Sequence, residues 1–343
     1  MRITVNSNGV SNERRRVRPV RLLPGSVLYR RVVAGLVVAL LGTGALGCVR
    51  NTWRDPEPVD TTVLLAEHEE WREGRRRSLA NPNAGVISWD GLFELAQGAN
   101  TLGSDPSSAI VLPEEDAPSL AGTLYLEDGA VRLVPKAGSG LRLRDPLSGA
   151  AGDPVTEPIP LPDDRSEGTI RLALGSLGMR VHAEPGTRRL WLRVWDTDAP
   201  RLETFELPEY FPITNEWRVT ARFEPYPEPR TVTLGDVRGG TLENTAPGDL
   251  VFRVDGEEHR LMAFARASSR SYFISLWDST AVTDTYQAGR YMRAPLPDND
   301  GWTTIDFNRA YNAPCAFTPH SVCSLPPPEN YLRFSVTAGE KRP

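Results

Sequence analysis

The sequence predicts a mainly β protein in which one N-terminal helix leads into two β domains. Three observations carry this. Beyond Pro82, segment after segment alternates apolar and polar residues, as in "GTLYLEDGAVRLVP" (122–135), "RRLWLRVWDTD" (188–198) and "SYFISLWDST" (271–280). Asp128-Gly129 and Asp255-Gly256 punctuate such runs with the dipeptide that favours tight hairpins. The 29 glycines and 30 prolines are spread through the chain rather than clustered, which gives many turns and short strands. At 343 residues the length suits about two domains.

The first 47 residues read as an address. Eight arginines against one acid, Glu13, give this segment +7, so the rest carries −12 of the net −5. An acidic body of that kind lacks the basic footprint that nucleic-acid binding needs, and no nucleic-acid partner is expected. Arg30 and Arg31 precede an apolar run, Val32 to Leu46, too short for a comfortable membrane span and suited to a signal-peptide core. It ends in Ala45-Leu46-Gly47-Cys48, which resembles a bacterial lipobox. That pattern implies cleavage before Cys48 and acylation of its sulfur, with the membrane as a partner. An uncleaved anchor and an ordinary secretory signal are the alternatives. The arginine-rich start makes Val27 a candidate initiator. Residues 48–62, polar with two prolines, are expected to be a tether.

"VLLAEHEEWREGRRRSLAN" (63–81) places Leu64, Leu65, His68, Trp71, Arg75 and Leu79 at helical spacing. Asn81-Pro82-Asn83 stops the helix, and the arginines near its end suit a helix C-terminus. His68 is expected to be a packing or rim residue. The proline-rich "DAPRLETFELPEYFPIT" (198–214) divides the remainder into β domains at 82–203 and 204–343.

Chemistry concentrates in "DFNRAYNAPCAFTPHSVCSLPPPEN" (306–330). Cys315 and Cys323 lie eight apart, which is not a metal or redox spacing, and histidines stand only at 68, 182, 259 and 320. No metal or cofactor is expected. Outside the cytoplasm the two cysteines suit a disulfide. A pair of buried thiols, or a reactive cysteine served by His320, are the alternatives. The polar residues Asp306, Asn308, Tyr311, Asn312, Glu329 and Asn330 fall in or beside this segment. Arg290 and Tyr291 precede it, and Tyr226 with Arg230 marks a proline-punctuated turn. These ten residues are the candidate ligand pocket, with arginine gripping an anion and tyrosines as walls. The competing reading is structural: Asn and Asp capping turns, and Arg–Asp pairs pinning a long loop to a sheet. No nucleophile elbow, phosphate-cradling glycine loop or carboxylate pair is visible.

Two family resemblances follow. "GANTLGSDPSSAIVLPEEDAPSLAGTLYLEDGAVRLVP" (98–135) resembles the opening of a forkhead-associated domain, a phosphothreonine-reading sandwich. The Arg and His of that motif are missing, since Ser104 follows Gly103, so the resemblance implies the sandwich and not the phosphate site. "GLFELAQGANTLGSDPSSAIVLP" (91–113), "YFPI" (210–213), "RFEPYPEPR" (222–230), "DTYQAGRYM" (284–292), the 306–330 block and "AGEK" (338–341) carry a second resemblance. Through them the chain from Trp71 to Lys341 resembles the bacterial and archaeal family catalogued as domain of unknown function 1684. Ala313 and His320 stand where that family usually has Pro and Tyr. The resemblance implies a shared fold and no established reaction. The expectation is therefore a lipid-anchored cell-envelope protein facing the periplasm or exterior. It would be a noncatalytic binding or scaffolding module for a small ligand or envelope protein. The alternative is an envelope hydrolase or small-ligand enzyme working through Asp306, Tyr311 and Glu329.

Overall fold

Helix α1 (Thr61–Leu79) starts where Asp60 accepts from the Thr62 and Val63 amides, satisfying N–H groups that have no partner within the helix. In this computed structural model, which describes residues 53–265 and 268–343, α1 precedes 19 strands. The expected leader and Cys48 lie outside the described residues. Leu64, His68 and Leu79 form the buried stripe of α1, as their spacing predicts. Residues 53–60, expected to be tether, are docked instead. Trp53 meets Trp302 edge-on at 5.2 Å, and the Asn215 amide brackets the Val59 backbone through two hydrogen bonds of 2.8 and 3.1 Å.

The first β region contains β1 (Trp89–Glu94), β2 (Gly98–Gly103), β3 (Ile110–Val111), β4 (Gly122–Glu127), β5 (Ala130–Pro135) and β6 (Arg142–Arg144). It continues with β7 (Ala151–Pro154), β8 (Ile159–Pro160), β9 (Arg171–Leu174), β10 (Leu177–Ala183) and β11 (Leu190–Asp196). Their two sheets run β1-β11-β10-β9-β6-β7 and β3-β2-β4-β5-β8. Leu102, Leu124 and Leu133 of one sheet share a buried cluster with Leu172, Met179 and Leu192 of the other, which makes a sandwich.

The second region holds β12 (Arg218–Gly235), β13 (Thr241–Val254), β14 (Glu257–Ala263), β15 (Ser271–Asp278), β16 (Arg290–Pro295), β17 (Trp302–Asp306), β18 (Tyr311–Asn312) and β19 (Tyr331–Leu332). Its sheets run β14-β13-β12-β17 and β18-β16-β15-β19. Leu250, Phe252 and Leu261 meet Ile274, Met292 and Ala294 in a second core. Both Asp-Gly hairpins form. Asp128 and Asp255 take φ of 51° and 52°, Gly129 and Gly256 take 80° and 81°, and a two-residue turn needs positive φ at both places.

One local expectation is corrected. The stretch around Tyr226 is not a turn but part of β12. Pairing jumps from Pro225↔Gly248 to Arg230↔Ala246, a bulge where Pro225, Pro227 and Pro229 supply no N–H to the ladder. Trp53–Pro343 forms one compact unit. Arg193 of β11 helps join its parts: it stacks 3.7 Å over the Trp89 ring and donates to the His320 carbonyl at 2.9 Å.

Candidate functional site

The polar residues of the closing segment are for the most part committed to structure. Arg290 is fully buried. It donates to Asp278 at 2.7 Å and to the carbonyls of Val336 (3.0 Å) and Ala338, clamping the C-terminal segment onto the second core. Asn330 takes the Met262 amide at 2.6 Å and donates to the Met262 and Ser275 carbonyls. Asp306 accepts from the Asn308 amide, and Asn308 brackets the backbone of Thr214. His68 reaches the Asn308 carbonyl through Nε2 at 2.6 Å; since a carbonyl only accepts, the ring proton sits on Nε2. Burial holds this imidazole below its ordinary pKa. Asn312 receives Arg75 on its carbonyl and gives its amide to the buried Glu340.

Tyr226 and Arg230 do come together, with the guanidinium 3.8 Å from the ring centroid, and Tyr226 donates to Asp249. Burial, that hydrogen bond and the Asp249 charge push its phenol far up. The exposed Glu329 adds its charge to the same neighbourhood. Arg290, Asp306 and Tyr311 are not part of this pair. The expected single pocket of ten residues is thus corrected. Arg290 points into the core with Met292 and Ala294, while Asp306 and Asn308 are used by a turn.

What remains open lies on the outer face of the β15–β16–β18 sheet. Alternation along β16 sends Tyr291 and Arg293 outward, and register sets Arg293 beside Phe273 and Tyr291 beside Tyr311. The Cys315–Cys323 disulfide closes the loop packed against this face, with a Cα–Cα distance of 6.2 Å. Tyr291 donates to the Ser324 carbonyl at 2.8 Å and Tyr286 to that of Cys315 at 3.2 Å, so both arms of the loop are held. Between loop and sheet lies a cavity of about 450 Å³, bounded by Phe273, Tyr291, Arg293, Val322 and, from β13, Asn244 and Thr245. Arg293 also borders a second hollow of about 590 Å³, lined by Trp71, Arg75, Arg309 and Tyr311.

Arg293 is exposed, and among the described ion pairs it has no carboxylate partner, whereas Arg75 is paired with Glu340 and Arg309 with Glu67. It lies beside Tyr311 and makes a long 3.4 Å contact with the Ser271 hydroxyl. Burial raises the Tyr311 phenol, with Arg293 and Arg75 pulling partly the other way. His320 lines a different cavity, of about 520 Å³, with Asp90 and Phe205. Among the described residues, no three of His, Cys, Asp and Glu are grouped to hold a metal ion.

Sequence reasoning missed Arg293, Asp278, Arg75 and Glu340 as participants. For Arg293 the signal was present: the apolar phase of Met292 and Ala294 places Arg290 inward and Arg293 outward. Glu340 carried no local signal, because its partners are far away in sequence.

Fold and site define a two-sandwich β protein with a disulfide-bordered cleft of small-molecule size. Residues 203–341 match the family described as a protein of unknown function, DUF1684, and this part of the chain belongs to it. No curated protein matches the sequence. A solution NMR structure of an uncharacterized protein from Haloarcula marismortui is similar at 35% identity, with a TM-score of 0.35. That likeness covers 40% of this chain and 78% of the other.

Proposed function

We propose that this is a lipid-anchored cell-envelope protein that binds a small ligand bearing a negative charge, without transforming it. The single observation behind the reading is Arg293: an exposed guanidinium without a carboxylate partner among the described ion pairs, set between aromatic rings at the meeting of two hollows. A cleft of a few hundred Å³ that combines apolar and aromatic walls with placed polar groups is the usual form of a small-molecule site. Arginine suits planar or tetrahedral anions because its donors form a fixed fork. The disulfide fits an oxidising compartment. No helix among the described residues is long and apolar enough to cross a membrane. Acylation of Cys48 would supply the attachment, since each buried acyl CH₂ contributes about 0.8 kcal/mol. The enzyme alternative has less support, because Asp306 is bonded to Asn308 in a turn, Tyr311 lines the second hollow and Glu329 lies exposed near Tyr226.

Calorimetric titration of the full chain in detergent with small carboxylates and inorganic phosphate tests the reading. Binding that Arg293→Ala abolishes and Arg293→Lys partly restores is expected. Binding indifferent to Arg293, or no binding, would overturn it. Separately, Cys48→Ser should move the protein from the membrane to the soluble fraction.

A further inference from the structure

We infer that the ligand is an acidic saccharide, bound with one carboxylate at Arg293; this rests on the reading of Arg293 as an anion anchor. The cavity wall mixes two kinds of surface. Phe273 and Tyr291 are aromatic rings on the sheet face, their centroids 4.8 Å apart at an interplanar angle of 79°. Around them stand Ser271, Asn244, Thr245 and Ser324, whose hydroxyl and amide groups can each donate and accept. A sugar ring has the matching anatomy: apolar C–H faces to lie on an aromatic surface, and a rim of hydroxyls that also donate and accept.

Other anions match less well. An acyl chain would bury the serine, threonine and asparagine groups without partners, at a cost for each. A polyphosphate fits the first cavity less well, because its wall carries Glu243, which only accepts and repels a second negative charge. A sugar hydroxyl can donate to that carboxylate. Beyond Arg293 the second hollow continues with Trp71 and Tyr311 among charged groups of both signs, Arg75, Arg77 and Arg309 with Glu67 and Glu70, to which sugar hydroxyls can donate or from which they can accept. Because Arg293 borders both spaces, a short oligosaccharide can cross it with its charge at the junction.

The test is calorimetric titration of the full chain in detergent with five probes: glucuronic acid, its uronic-acid-containing disaccharide, the neutral disaccharide of equal size, benzoate, and inorganic phosphate. The acidic disaccharide should bind at least tenfold more tightly than the other probes and than glucuronic acid. Arg293→Ala should lose tenfold or more, and Arg293→Lys less. Thr245→Val should weaken the disaccharide while leaving the response to benzoate unchanged. Unchanged melting temperatures confirm that these surface variants fold. If benzoate or phosphate binds through Arg293 and the acidic sugars do not, the saccharide assignment falls while the anion anchor stands. If no probe binds, or the neutral sugar binds equally well and Arg293→Ala has no effect, the anion anchor falls and takes the saccharide with it.

Discussion

Glu340 and Arg75 form an ion pair across 265 residues of sequence, with Arg75 Nη2 donating to Glu340 Oε2 at 3.1 Å and the carboxylate wholly buried. The same carboxylate accepts from the Tyr210 hydroxyl at 2.8 Å and the Asn312 amide at 2.7 Å. Helix α1 is thereby locked onto the second sandwich rather than the first, although the first follows it in the chain.

Removing the acceptor should be severe. Glu340→Ala leaves a guanidinium, a phenol and an amide without their partner, and breaking a buried pair on one side typically costs about 3–5 kcal/mol. Urea denaturation of Glu340→Ala and Arg75→Ala should show this order: Glu340→Ala the larger loss, because Arg75 keeps some contact with solvent. The double variant should lose less than the sum of the two.

Arg290 offers a second case. Arg290→Met keeps the bulk but strands Asp278 and releases the Val336 and Ala338 carbonyls. A loss of about 3 kcal/mol or more is expected. Amide hydrogen exchange should rise over 336–341 before the rest of the second sandwich responds.

The disulfide should matter both to the fold and to the cleft. Closing a loop of about nine residues restricts the unfolded chain by about 2.5 kcal/mol in the chain-entropy account. Cys315→Ala with Cys323→Ala should lower the urea midpoint accordingly. It should also weaken ligand binding, because Cys323 and Val322 form part of the cavity wall. A variant that loses stability but keeps full affinity would show that the loop takes no part in binding.

His68 sets a pH dependence whose sign follows from its burial. Its folded pKa lies below the ordinary value of about 6.5, so the folded ring stays neutral where the unfolded one takes a proton. Stability from this residue is complete above about pH 7 and is lost as pH falls through the unfolded pKa near 6.5. Burial depresses His320 also and adds to the same trend. His68→Phe should be less stable at pH 7.5, since the Asn308 carbonyl loses its donor. It should nonetheless show a flatter decline in urea midpoint between pH 7 and 5 than the parent.

Where the fold was legible, it was legible for local reasons. Asp128-Gly129 and Asp255-Gly256 dictate their own turns, and Leu64, His68 and Leu79 reveal a helix face through spacing alone. The segment from Pro225 to Pro229 misled, because three prolines signal a turn while the strand absorbs them as a bulge. At the site, residue type was a weaker guide than phase. Arg290 and Arg293 are the same residue type in the same strand, yet one is a buried clamp and the other an exposed cation with no carboxylate partner among the described ion pairs. Asn308, Asn312 and Asn330 follow the structural reading of the closing segment, each bonded to backbone. The partners they chose, and the place of Glu340, come from contacts spanning many tens of residues that no local pattern encodes.

The lock between α1 and Glu340 also imposes a sequence of events on a chain made from its amino end. Helix α1 leaves the ribosome 265 residues ahead of the carboxylate it must meet. A short isolated helix is marginal in water, so α1 waits as an unmated amphipathic segment while the first sandwich gathers around its own nucleus. The contact between Arg75 and Glu340 can form only after almost the whole chain has been made, which leaves the docking of α1 to the end of synthesis.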